Sequence, residues 1–182
     1  MVPEAEFEQT DAGLVPAGHG WFVLNARDAR WIRRDGRGHS LPFTGWTESE
    51  RQALFPQLGV ALIVLGPGEP IGMYHREADQ EDFLVLAGEA LLLVEGQERP
   101  LRAWDFVHCP PHTNHMIVGA GDGPCTVLAV GTREQGRIAY TVDEVALRRG
   151  VGVEEETNDV AAAYARFATP EPARYRDGRL PW

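Results

Sequence analysis

Val60-Ala61-Leu62-Ile63-Val64-Leu65, closed by Gly66-Pro67-Gly68-Glu69-Pro70, opens the stretch whose reading decides the fold. A short apolar run stopped by a Gly/Pro cluster reads as a strand. The pattern recurs downstream. Ile71–His75 and Phe83–Leu86 lead to a turn at Ala87-Gly88, and Leu91–Val94 leads to a hairpin signal at Glu95-Gly96-Gln97-Glu98. Phe106–Cys109 stops at Pro110-Pro111, His115–Val118 stops at the run Gly119 to Pro124, and Cys125–Val130 closes the series. About seven short strands, with turn signals every ~8–12 residues and no helical periodicity, predict an all-β sandwich or barrel over residues 57–132.

The flanks have a different texture. Residues 1–56 form an N-terminal extension with strand candidates at Trp21–Leu24 and Arg30–Arg33. Thr47-Glu48-Ser49-Glu50 matches a capping box, which predicts a brief helix over 48–54 ended by Pro56. Beyond the barrel, Asp143–Arg149 followed by Gly150 reads as a helix with a glycine stop. Asn158–Phe167 reads as a second helix, with Asn158 as its N-cap. The tail to Trp182 reads as irregular, lying on a surface or on a partner subunit. The 182 residues suit one domain: an extension over 1–56, the barrel over 57–132, and helices and tail over 133–182.

Composition removes several functional classes. Hydrophobic residues make up 43% and charged residues 24%, as in ordinary globular proteins and unlike disordered chains. The formal net charge of -10 argues against a nucleic-acid binder that neutralises phosphates. No apolar run approaches the ~20 residues of a membrane helix. Met1-Val2-Pro3-Glu4-Ala5-Glu6 lacks the basic-then-apolar layout of a secretory signal, so a cytoplasmic protein is expected. All 17 basic residues are arginine, a bias expected of a GC-rich bacterial genome. Cys109 and Cys125 lack paired spacing and read as half-buried thiols.

Residues able to hold a cation fall in two places. The first is His75-Arg76-Glu77-Ala78-Asp79-Gln80-Glu81, and the second is Pro110-Pro111-His112-Thr113-Asn114-His115. Side chains alternate along a strand, so His75 and Glu77 share a face, and Glu81 and Phe83 have matching parity. Imidazole and carboxylate groups converging inside a barrel are costly to bury, and a divalent cation offsets that cost. Two imidazoles with one carboxylate and open positions suit non-heme iron(II) and related metals. His108 reads instead as a hydrogen-bonded structural histidine and His112 as a turn residue. His19 and His39 carry no signal. Met73, Phe83 and Ile117 read as pocket lining or core.

These residues resemble the two motifs of the cupin superfamily. His75, Glu81 and Gly88 fall on the first, Gly-x5-His-x-His-x3,4-Glu-x6-Gly, and Asp105, Pro110 and His115 fall on the second, Gly-Asp-x4-Pro-x-Gly-x2-His-x3-Asn. The sequence departs from the pattern at Glu77, which replaces the second histidine, at Trp104 and His112, which replace glycines, and at Gly119, which replaces Asn. Gly72, only three residues before His75, is out of place for the opening glycine. The resemblance implies a double-stranded β-helix jelly roll carrying a divalent metal on His75, Glu81 and His115. Glu77 would be a fourth ligand or a general base, which makes it the candidate catalytic residue. The triad resembles the hydroxyanthranilate dioxygenase branch of the superfamily. The expectation is therefore a small-molecule metalloenzyme of the oxygenase type, using iron(II) or manganese, with zinc or nickel as alternatives. A non-catalytic module that senses or stores a small ligand, and a sugar or phosphosugar isomerase, are the other readings. A homodimer is expected, since small cupins commonly pair and the extensions show no core of their own. No nucleic-acid or membrane partner is expected.

Overall fold

The computed structural model describes residues 3–17, 20–43 and 57–178, so the helix expected over 48–54 lies outside the described residues. A hairpin of β1 (Glu6–Thr10) and β2 (Gly13–Ala17) stands apart from two larger antiparallel sheets. The chain continues through β3 (Trp31–Arg33), β4 (His39–Pro42), β5 (Leu58–Leu65), β6 (His75–Glu77) and β7 (Glu81–Ala87). Next come β8 (Glu89–Val94), β9 (Gln97–Arg102), β10 (Phe106–Cys109), β11 (His115–Ala120) and β12 (Cys125–Thr132). After β13 (Ile138–Tyr140) come helices α1 (Glu144–Arg148) and α2 (Val160–Ala163), then β14 (Glu171–Ala173). One sheet runs β10-β7-β12-β5-β4-β3-β14 and the other β13-β6-β11-β8-β9. The architecture is a mostly-β jelly roll.

The inner faces of the two sheets bury Ile63, Leu65, Phe83, Leu92, Val107, Ile117 and Val127 against each other. The outer faces are covered too. Trp31, Leu41 and Val64 pack beneath Ala173 and Tyr175, while Leu93, Met116 and Val118 pack beneath Ala146 of α1 and Val151. Strands covered on both sides have no wet face to alternate toward, which is why β5 and β11 are written as apolar runs. The tight β8–β9 turn places Glu95 at φ 46 and Gly96 at φ 72, the paired left-handed conformation of a two-residue hairpin.

Several expectations shift. Between Trp21 and Leu24 there is only an isolated bridge at Trp21, and Val23 is 82% exposed. The strand expected over Ile71–His75 begins only at His75, because the amides of residues 71–74 bond outside any ladder. The first helix forms as read, with Asp143 as N-cap and Gly150 at φ 71 beyond it. The second is shorter than read and is capped by Asp159, whose side chain accepts from the Ala161 amide, rather than by Asn158. The tail is not wholly irregular, since β14 pairs with β3. No described helix is long and apolar enough to cross a membrane.

Candidate metal centre

Three strands bring their first residues to one end of the barrel. On β11, His115 is the register partner of His75 on β6, and on β7, Glu81 is the partner of Cys109 on β10. His115 Nε2 lies 3.0 Å and His75 Nε2 3.5 Å from the same oxygen, Glu81 Oε2. One ligand atom from each of His75, Glu81 and His115 lies within 4.8 Å of the others, which is metal-site spacing. Glu77, at the end of β6, brings Oε1 to 3.7 Å from His75 Nε2 but is not part of that close group.

Both imidazoles are aimed by their far nitrogens. His75 Nδ1–H donates to the Met73 carbonyl at 2.7 Å, and His115 Nδ1–H donates to the Thr113 carbonyl at 2.9 Å. With Nδ1 committed to backbone, each ring presents Nε2 to the centre. The ring of Phe83 packs on His115 at 5.5 Å, and Tyr140 lies 6.0 Å from His75.

The electrostatics are uneven. Burial acts to raise the Glu81 carboxyl, but hydrogen bonds to His115 and His75 overcome it and hold the group well below the usual carboxylate range. Burial alone would lower His115, yet its interactions with Cys109 and Glu81 raise it to about 10. Burial and the Glu81 charge push Glu77 up to about 7, against the pull of His75 and His115.

The remaining candidates scatter. Asp79 turns from the centre and accepts from the amides of Glu134, Gln135 and Gly136, fastening that loop. His108 is exposed and pairs with Asp82 at 2.6 Å. His112 sits in a turn at φ 71, where its amide donates to the Glu77 carbonyl at 2.7 Å. Met73 does not line the site with Phe83 and Ile117, because it packs in a separate cluster with Tyr140 and Ala163. His19 lies outside the described residues. Two neighbours escaped the sequence reading. Cys109, buried, acts electrostatically on His115; its parity with Val107 and its pairing opposite Glu81 were the available signals. Arg133 interacts electrostatically with Glu77, and its guanidinium lies over Gly59, 2.7 Å from where a Cβ would stand.

A family profile described as a cupin domain matches residues 61–131, the span that holds every residue of the close group. The chain carries a cupin domain. No curated protein matches its sequence. Among solved structures, a candidate sugar phosphate isomerase from Acidithiobacillus ferrooxidans is 29% identical with a TM-score of 0.43, covering 46% of this chain and 54% of that one. The cupin therefore spans only about half the length of that protein. A Cupin 2 conserved barrel domain protein from Salinispora arenicola is 22% identical with a TM-score of 0.48, covering 64% of this chain and 92% of its own. A sugar phosphate isomerase of the cupin superfamily from Silicibacter pomeroyi is 25% identical with a TM-score of 0.44, covering 66% and 75%.

Proposed function

We propose that this cupin is a metal-dependent enzyme acting on a small molecule, with His75, Glu81 and His115 holding one divalent ion. The observation that carries the reading is the shared focus of two Nε2 atoms and one carboxylate oxygen, both imidazoles being aimed by backbone carbonyls. The donor set fits a cation. Two borderline nitrogens and one hard oxygen suit iron(II) or manganese(II) and admit zinc or nickel. Held there, such an ion supplies Lewis acidity and, if iron, one-electron chemistry with dioxygen.

The chain's own residues do the rest. Phe83 and the core beneath it close the inner side of His115 to water. Glu77 lies on the outer side, 29% exposed, with Oε1 3.7 Å from His75 Nε2, where it can hold or release a proton. That makes it the general acid–base candidate. The Asp79-fastened loop follows directly on Arg133, which sets a positive charge beside Glu77.

The test is elemental analysis of freshly purified protein beside His115→Ala and Glu81→Gln. About one ion per chain is expected in the wild type, with loss of most of it in either variant. Iron-loaded protein is then offered catechol, thiol and keto-acid substrates while oxygen is followed. Consumption with one of them supports an oxygenase. Metal without turnover, alongside tight retention of a ligand, supports a binding module instead. A wild type that takes up no metal ends the proposal.

A further inference from the structure

We propose that Tyr164, outside the barrel, is a positioning residue for the metal ligand His75; the inference rests on the metal-centre reading above. Instead of pairing as a strand, residues 71–74 are tied off one amide at a time. Ile71 N–H donates to the Ile117 carbonyl at 2.9 Å and Tyr74 N–H to the Val151 carbonyl at 2.8 Å. Gly72 N–H meets Met116 Sδ at 3.1 Å, and Met73 N–H donates to the Tyr164 hydroxyl at 3.2 Å. Arg37 Nη2 donates to the Ile71 carbonyl at 3.0 Å.

Met73 is the residue that matters. Its carbonyl is the acceptor that orients the His75 ring, so the Tyr164 hydroxyl grips the same residue that sets the imidazole's aim. A second path runs through the rings. Tyr164 meets Tyr140 edge-on, with centroids 5.6 Å apart and planes at 90°, and Tyr140 lies 6.0 Å from His75. On Tyr164 the Arg37 guanidinium sits 4.1 Å from the ring centroid. Gly72 shows how closely the hydroxyl is seated, since a Cβ there would stand 2.5 Å from its oxygen.

Arg37 and Tyr164 both fall outside residues 61–131, one on the turn between β3 and β4, the other at the end of α2. The barrel alone therefore lacks the group that holds in place the residue aiming one of its ligands. Groups hydrogen-bonded directly to a metal ligand, as the Met73 carbonyl is to His75, change metal affinity by about 10–100-fold when lost; Tyr164 acts one bond further out, at the low end of that range.

Tyr164→Phe removes the acceptor for Met73 N–H and keeps the ring stack. Cobalt(II) titration, followed by its ligand-field absorption and by chelator competition, is expected to show about tenfold weaker binding and altered bands. In metal-free protein, amide exchange is expected to quicken over residues 71–77 and to stay unchanged over β8 and β9. Gly72→Ala displaces the same hydroxyl, so alone it is expected to give a similar loss and, combined with Tyr164→Phe, little more. Additive losses would overturn the proposal. So would unchanged cobalt affinity and unchanged exchange at 71–77, or a fall in Tm with the affinity intact. If the wild type takes up no cobalt, the metal reading fails, and the exchange data alone decide whether Tyr164 positions His75.

Discussion

Glu77 and Glu81 stand in the same mouth of the barrel, yet their carboxyls are driven in opposite directions. Glu81 receives both imidazoles, at 3.0 and 3.5 Å, and its negative charge is what they stabilise. Glu77 touches His75 only at 3.7 Å and feels the Glu81 charge, so burial wins and the neutral form is favoured. Glu77 has a folded pKa of about 7, above its ordinary 4.5, so its contribution is full below about pH 4.5 and is lost as pH rises through 7. In chelator, Glu77→Gln is therefore expected to be more stable than the wild type at pH 8, by about 1–2 kcal/mol, with the gain shrinking toward pH 5. Calorimetry at both pH values checks this. An equal gain at both would mean that the carboxyl is not raised. Nothing in the local sequence distinguishes the two glutamates by environment. Their difference comes from which one the partner strand's histidine faces.

At the scale of elements, β11 shows what the sequence made readable and what it did not. Met116-Ile117-Val118, following His115, was recognisable because both faces of the strand are covered and these residues are apolar without a break. Gly119, where the family pattern has Asn, was readable only as a departure. The structure supplies the reason. Its amide donates to the Glu69 carbonyl at 2.9 Å, its carbonyl accepts from Gly68 N–H at 2.8 Å, and a Cβ would collide with the Gly66 carbonyl oxygen. The turn after β5 is laid directly on β11, and only glycine permits the approach. Restoring the family residue should then do harm. Gly119→Asn is expected to lose about 2–4 kcal/mol, read as a lowered midpoint in denaturant with little change in slope. A variant as stable as the wild type would show that the turn can lift away. The late start of β6 was unreadable for a related reason. The groups that tie off residues 71–74 come from Met116, Ile117, Val151 and Tyr164, far along the chain, and leave no local pattern.

For the molecule as a whole, the extensions are wrapped around the barrel rather than appended to it. Glu171-Pro172-Ala173 has no apolar run and a proline, so nothing in it announces a strand, yet it pairs with Trp31–Arg33 at the edge of the larger sheet. Tyr175 then lies 6.0 Å from the Trp31 ring, and Arg174 Nε donates to the Asp11 carbonyl at 2.8 Å. The tail, expected to lie on a surface or on a partner subunit, packs over residues 171–175 on the sheet of its own chain. The wrap has two halves with different work. The half at Tyr175 covers the outside of the sheet through Trp31, Leu41 and Val64, while the half at Tyr164 reaches a metal ligand through Met73. These two tyrosines should therefore fail in different ways. Tyr175→Ala is expected to lower stability by about 1–3 kcal/mol, through lost burial and the lost ring contact, with metal content unchanged. Tyr164→Phe, which keeps its ring but orphans the Met73 amide, is expected to lose metal affinity beyond what any fall in Tm accounts for. Measuring Tm and metal stoichiometry on both variants separates the two roles. If Tyr175→Ala sheds its metal in step with its stability, the centre depends on the wrap as a whole and not on the single grip at Met73.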